Sequence, residues 1–322
     1  MGLVESVPNF SEGRRLDVVE HLADAIASAE GVHLLDRTSD PSHNRSVLTL
    51  AGEAERVADA LERAVAVAVH EIDMEQHWGE HPRIGAVDVI PFIPLGETTL
   101  ADCVDLARAF GRRIASRFDL PVYLYAAAAT RPDRVKLADV RRGQYEGLRL
   151  DIATAGREPD FGPASMHPSA GAVAVGARPF LIAYNINLAS DDLDLAKRIA
   201  RRVRESGGGL SKVQANGFFI EELNAAQVSM NLLDFRETPL WLVWETVEAE
   251  AANDGVDLAE SELIGLAPLA ALLDVADHAG ASTADPEETR LRAAAEFLQL
   301  RGFSPFQALE LKLAAAQGTG RT

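Results

Sequence analysis

Two imidazoles, a carboxylate and a guanidinium fall within seven consecutive positions, His77-Trp78-Gly79-Glu80-His81-Pro82-Arg83. Ile84-Gly85 and the apolar run Ala86-Val87-Asp88-Val89-Ile90-Pro91-Phe92-Ile93-Pro94 follow directly. Histidine is the side chain whose ordinary pKa lies nearest neutrality, so a loop with two of them beside a carboxylate can take up and return a proton at working pH. The glycines and the proline disfavour a helix and hold the segment as a loop ahead of a strand. General acid–base chemistry is therefore the expectation. Zinc fits less well. The zincin pattern needs a Glu directly after the first His and an unbroken helix to bring both rings to one face, and here Trp78 and Gly79 intervene. With a single cysteine and no second ligand cluster, no metal site is expected.

The elements that must position this loop follow from periodicity. Residues 3–7 read as a short strand ending at Pro8, and residues 14–29 as a helix with Leu16, Val19, Leu22, Ala23 and Ile26 on one stripe. Strands are expected at 32–37 and 45–51, joined by a polar turn, and a long helix after Gly52 to about Ile72 with Val57, Leu61, Ala64, Val65 and Ala68 on its stripe. The strand at 86–94 completes a split βαβ, or ferredoxin-like, unit, to which a helix at 100–118 and a strand at 122–126 are added. Residues 157–176 lose periodicity and read as a lid or a linker. The pattern then returns, with strands at 180–188, 211–220, 224–232 and 256–267 and helices at 191–204 and 238–252. Repetition of one topology suggests duplication, with subdomains at 1–179 and 180–322, a helical, acidic stretch after Pro268 and a frayed tail from Gln317.

In the second half one strand face carries Ala183, Asn185 and Asn187, and another carries Gln227, Ser229 and Asn231. Amides and small residues suit a partly enclosed hydrogen-bonding cleft better than open water, where Lys and Glu would serve as well.

Composition excludes several classes. At 322 residues, 47% hydrophobic and 25% charged, the chain can bury a large core. Its formal net charge of -18 opposes non-specific binding to nucleic acid or anionic membrane. The first residues lack a basic region followed by an apolar one, and no apolar run is long enough to cross a bilayer, so the cytoplasm is the expected location. Cys103 is the only cysteine. It fits a reducing compartment and reads as a small buried side chain. Gly207-Gly208-Gly209 follows a helix and lacks a Lys-Ser or Lys-Thr pair, so it is no phosphate loop. The 171–176 segment lacks the strand-to-helix setting of a dinucleotide fold. No Gly-x-Ser-x-Gly elbow is present.

Several stretches together resemble the formiminotransferase family, the glutamate formimidoyltransferases of histidine breakdown. They are Val4-Glu5-Ser6-Val7-Pro8-Asn9-Phe10-Ser11-Glu12-Gly13, Asp40-Pro41-Ser42-His43-Asn44-Arg45, the 77–94 stretch, Pro121-Val122-Tyr123-Leu124-Tyr125, Asp160-Phe161-Gly162-Pro163, Gly176-Ala177-Arg178-Pro179-Phe180-Leu181-Ile182-Ala183 and Gln227-Val228-Ser229-Met230-Asn231-Leu232-Leu233-Asp234-Phe235. They span nearly the whole chain in family order.

The resemblance implies an α/β protein of two ferredoxin-like βαββαβ subdomains, with facing sheets and helices outside, and a homodimer. It implies transfer of the formimino group of N-formimino-L-glutamate to N5 of tetrahydrofolate, the co-substrate, with release of glutamate and no metal. The catalytic histidine of the family falls on His81. The folate-contacting segment falls on Gly162-Pro163-Ala164-Ser165-Met166-His167-Pro168-Ser169-Ala170-Gly171. Arg45, Arg83 or Arg178 could hold substrate carboxylates, since a guanidinium fork matches a carboxylate. Glu80 or Asp40 could tune the His81 ring, although residues 37–40 depart from the animal pattern. Asn185, Asn187, Gln227 and Asn231 are candidates for the pterin edge, and His77 is read as shaping the loop. The animal enzymes carry a following cyclodeaminase domain, and this chain resembles the stand-alone form. The rivals are a related folate one-carbon enzyme, cyclo-ligase-like or using N-formylglutamate, and a non-catalytic folate-binding protein.

Overall fold

The computed structural model describes residues 2–318; beyond Gly318, the polar tail expected from Gln317 lies outside the described residues. The chain divides into two compact units, Met1–Pro179 and Phe180–Thr322.

In the first unit, β1 (Leu3–Ser6) and β2 (Asn9–Phe10) are two halves of one strand, interrupted at Val7-Pro8, where proline has no N–H to give to the ladder. Both halves pair antiparallel with β4 (Arg45–Glu53) on one side and β5 (Val87–Pro94) on the other. With α1 (Leu16–Ala27), β3 (Val32–Asp40), which pairs with β4, and α2 (Ala54–Glu71), the order is the ferredoxin-like one expected from periodicity. The sheet then grows to seven strands. After α3 (Leu100–Phe118) comes β6 (Val122–Ala126), then two short helices, α4 (Leu137–Val140) and α5 (Gln144–Asp151), then β7 (Val173–Ala177). The last of these slots between β5 and β6, parallel to both.

This corrects the reading of 157–176 as an interdomain linker and of its end as irregular loop. The segment runs inside the first unit, and its end is a central strand. Val173-Ala174-Val175-Gly176-Ala177 is buried along its whole length, so it shows no alternation, and its small residues give no strand signal.

Helices α1, α2 and α3 cover one face, through Leu22, Ile26, Leu61, Phe110 and Ile114 against Val4, Leu50, Ile90 and Phe92. Phe92 and Phe110 meet edge to face at 5.4 Å. A second, smaller core lies elsewhere in the unit, where Val140, Leu148 and Ile152 of the α4–α5 segment pack with Val89, Tyr123 and Tyr125.

The second unit repeats the plan without the insertion. It runs β8 (Ile182–Leu188), α6 (Leu193–Val203), β9 (Val213–Ile220), β10 (Ala225–Leu232), α7 (Leu240–Asn253) and β11 (Leu258–Ile264). The strand order is β11-β8-β10-β9, antiparallel throughout. Asp192 caps α6 by accepting from the Leu195 amide at 3.0 Å. The stretch after Pro268 is helical, as expected: α8 (Leu269–His278), α9 (Glu287–Phe297) and α10 (Leu309–Ala316). Among the described residues no helix is long and apolar enough to cross a membrane.

Candidate active site

The His77–Arg83 loop is laced to the β3–β4 turn by Asn44. Its amide oxygen accepts from the Gly13 N–H at 3.0 Å and its amide nitrogen donates to the Trp78 carbonyl at 3.1 Å. The Asn44 carbonyl in turn pairs with His77 Nε2 at 3.0 Å. Gly79 packs so closely on this turn that a Cβ there would collide with the His43 carbonyl oxygen, and a Cβ at Gly85 would collide with that of Ala172. These two glycines let the loop lie flat between the turn and the start of β7.

One recess in the first unit is lined by Phe10, Ser11, His43, Asn44, Arg45, His77, His81, Arg83 and Asp88. His81 and His43 meet edge to face across it, with ring centroids 6.2 Å apart. Burial, and then the charges of Arg45 and Arg141 with His43, push the His81 pKa down to about 3, so its ring is a neutral proton acceptor. Asp40 does not pair with His81. One of its oxygens takes the Ser42 and His43 amides at 2.8 and 2.9 Å, and the other meets His43 Nδ1 at 2.6 Å. Burial raises the Asp40 carboxyl, but these three hydrogen bonds outweigh it and hold the pKa below the usual carboxylate range. Glu80 is exposed.

His77 has a different task. Arg83 Nε donates to its Nδ1 at 3.2 Å, which leaves the hydrogen on Nε2 for the Asn44 carbonyl. Burial lowers its pKa and keeps that tautomer neutral. Arg83 is itself buried, and its fork is spent on Glu146 at 2.6 and 2.9 Å and on Gln144 at 3.1 Å. It ties the loop to α5. Arg45 is otherwise placed: it donates to the Asn9 side chain, Nε at 2.9 Å, and burial and Arg141 lower its pKa. Arg141 pairs with the buried Asp88, whose other oxygen takes the Ile84 amide at 3.0 Å, and Arg141 Nε is buried without a partner. Arg45 and Asp88 line the recess with His81, and Arg141, behind Asp88, adds positive charge felt at that ring, an arrangement suited to an anionic ligand. Arg178 stands apart at the end of β7, its Nη1 on the Pro179 carbonyl at 3.1 Å.

The Gly162–Gly171 segment begins against Leu120 and Pro121 and ends beside the loop. The Ser169 and Ala170 carbonyls accept from Met74 and Ala86 at 2.7 and 2.8 Å, and Gly171 bridges Gly85. Its approach is anchored by Asp160, which pairs with the buried Arg134 at 2.6 Å and takes the Leu124 amide at 2.9 Å. Pro163, Ala164, Ser165 and Pro168 are exposed, Met166 and Ser169 half-buried and Ala170 buried. His167 Nδ1 accepts from the Ala170 amide at 3.0 Å, closing a turn.

In the second unit the expected amide face exists as a grid. Asn187 lies opposite Gln227, Asn185 opposite Ser229 and Ala183 opposite Asn231. Gln227 donates to Asn187 at 2.9 Å, Asn185 to Glu262 at 3.1 Å and Asn187 to Glu260 at 3.3 Å, while Arg301 pairs with both glutamates at 3.0 Å. Asn185, Asn187 and Gln227 are buried and Asn231 half-buried.

Sequence reading missed His43, Asp88 and Arg141. For His43 a signal existed, since Asp40-Pro41-Ser42-His43 places a carboxylate and an imidazole three apart in a tight turn. For Arg141 none did.

The chain matches the Formiminotransferase domain, N-terminal subdomain, over residues 3–178, and the Formiminotransferase domain over residues 183–313. It is 46% identical over 318 residues to the glutamate formimidoyltransferase of Thermoplasma acidophilum, covering 98% of this chain and 99% of that protein. It is 45% identical to the enzyme of the same name from Streptococcus pyogenes, over 86% of this chain and 92% of that one. Against the formimidoyltransferase-cyclodeaminase of Rattus norvegicus identity is 45% over 96% of this chain and 58% of the longer protein. On these matches, spanning both units, the chain belongs to the formiminotransferase family.

Proposed function

We propose that this chain is a glutamate formimidoyltransferase: it moves the formimino group of N-formimino-L-glutamate to N5 of tetrahydrofolate and releases L-glutamate. The observation that carries the reading is end-to-end similarity to the Thermoplasma enzyme of that name. His81, a neutral imidazole in a recess with Arg45 and under the charge of Arg141, supports it. Attack by N5 on the amidine carbon requires that N5 lose a proton, and His81 is the acceptor. Arg45 and Arg141, rather than the committed Arg83, hold the donor's carboxylate beside that ring. Arg178, at the end of β7, is left to a carboxylate farther from it.

The 162–171 segment and the amides of Asn185, Asn187, Gln227 and Asn231 bind the folate, the amides at the pterin edge, where each can donate and accept. Amides that can donate and accept suit a pterin edge, and an electropositive recess suits an anionic group. The family resemblance supports a homodimer working in the cytoplasm, and sedimentation at working concentration tests the dimer.

The decisive measurement is glutamate release from N-formimino-L-glutamate with and without tetrahydrofolate. Release only with the folate is expected. Release without it marks a hydrolase, and turnover of N-formylglutamate in place of the formimino donor marks a formyltransferase. Tetrahydrofolate binding with no turnover of either donor leaves a binding protein.

A further inference from the structure

We infer that His43, held by Asp40, is a second catalytic residue of this site, the acid that protonates the departing glutamate nitrogen while His81 takes the proton from N5. The inference rests on the transferase reading and adds to it a division of labour between two imidazoles.

The chemistry needs two proton transfers of opposite sense. As the N5–carbon bond forms, N5 must lose a proton. As the bond from carbon to the glutamate nitrogen breaks, that nitrogen must gain one, because an alkylamine anion is too basic to leave. His81 is in the right state for the first transfer only. Set among Arg45, Arg141 and His43 and partly buried, its ring carries no proton to give.

His43 has the environment of an acid. Its Nδ1 lies 2.6 Å from a carboxylate oxygen of Asp40, which turns Nε2 away from that partner. That carboxylate is fixed by the Ser42 and His43 amides on its other oxygen, so it can hold the ring in one orientation. With Nδ1 engaged, Nε2 is the atom left to exchange a proton with a ligand. The ring lines the same recess as His81 and meets it edge to face at 6.2 Å. The other groups around the recess are committed. His77 and Arg83 bond to each other and to the Asn44 carbonyl and Glu146, and Asp88 pairs with Arg141. Arg45, opposite Asp40 at the start of β4, bonds to the Asn9 side chain at 2.9 Å, and Arg14 bonds to the Pro41 carbonyl at 2.8 Å and stacks on Trp78 at 3.5 Å.

The step balances. His81 gains the N5 proton, His43 gives one to the leaving amine, the carbon–nitrogen bond to glutamate breaks and the amidine double bond re-forms. No oxidation state changes. The site resets when His81 releases its proton to solvent and His43 takes one back.

The test is the pH profile of kcat for wild type, His43→Gln and Asp40→Asn with N-formimino-L-glutamate and tetrahydrofolate. His43 is about half exposed, so the variant should fold, which circular dichroism checks. An acid must be protonated to act, so wild-type activity falls on the alkaline side. His43→Gln should lose about 10²-fold or more in kcat, with little change in KM, and should lose that alkaline fall. Asp40→Asn keeps the ring but removes the carboxylate that orients it, so kcat should fall while KM holds. A turn-capping role alone would leave the alkaline limb in place in His43→Gln and would not lower kcat at constant KM. A folded His43→Gln protein with near-normal kcat and an unchanged alkaline limb overturns the inference while leaving the transferase reading intact. A wild type without turnover overturns both.

Discussion

The two units share one strand order but keep their polar chemistry in different places. In the first, ionisable groups sit in loops at strand ends: His43 in the β3–β4 turn, His77 and His81 before β5, and Arg141 between two short helices. In the second, the chemistry lies on the strands themselves, as amides of β8 and β10 facing the glutamates of β11. The difference follows from what each arrangement can do. A loop held by a few specific bonds, as Asn44 holds this one, can bring an imidazole to a reacting atom and let burial and neighbouring charge set its pKa. A strand face offers a fixed spacing of donors and acceptors with no group that titrates near neutrality, which suits recognition. On the proposed reading, one topology thus carries a unit that moves protons and a unit that recognises the folate.

The largest effect should come from the reacting loop. His81→Ala is expected to lower kcat by about 10²- to 10⁴-fold with modest change in KM. A folded variant with near-normal turnover would break the comparison at its strongest point. The contrasting change is Gln227→Ala in the second unit. Gln227 is buried and donates to Asn187, so its loss should cost about 1–1.5 kcal/mol of binding, roughly a tenfold rise in KM for tetrahydrofolate. Its kcat should hold. Steady-state kinetics on both substrates separates the two patterns, and a Gln227 variant that lost kcat alone would place chemistry on the amide face.

Which of these features could be read from the residues alone depended on how local their causes are. The βαββαβ order was legible twice, because stripes such as Val57, Leu61, Ala64 and Ala68 carry their period in the sequence. β7 was not, because a central parallel strand of valine, alanine and glycine has no polar face to mark it. The amide grid was legible from alternation. The true partner of Asp40 was not, since only the turn geometry decides between His43 and His81. Likewise Arg83 looked like a free fork until α5 placed Glu146 against it, and the charge of Arg141 acts on His81 from a segment with no periodic signal. Backbone order is written in neighbours along the chain. The site is assembled from segments far apart in it.

The smallest effect distinguishes the units by acid titration. His81 has a pKa of about 3 in the folded protein against an ordinary 6.5. Below 6.5 the unfolded chain binds a proton at this ring that the folded chain refuses until about pH 3. The unfolded state thus holds more protons across that window, and stability falls with falling pH. Above 6.5 the ring is neutral in both states and contributes no slope. Replacing His81 by Gln removes this contribution, so the variant should gain stability relative to wild type on going from pH 7.5 to pH 5, read as the difference in urea midpoint. His77 and His167 are also lowered by burial and add slopes of the same sign, but both remain in the variant and cancel. Gln227→Ala, on a face whose amides do not titrate, should leave the wild-type slope unchanged. An anionic donor bound at Arg45 and Arg141 should raise the His81 pKa by offsetting the two charges beside it, so saturating N-formimino-L-glutamate should shrink the gap between wild type and His81→Gln. Equal pH slopes for wild type and His81→Gln would mean that the ring is not held neutral by its surroundings, and the contrast between the titrating loop and the silent sheet face would fail.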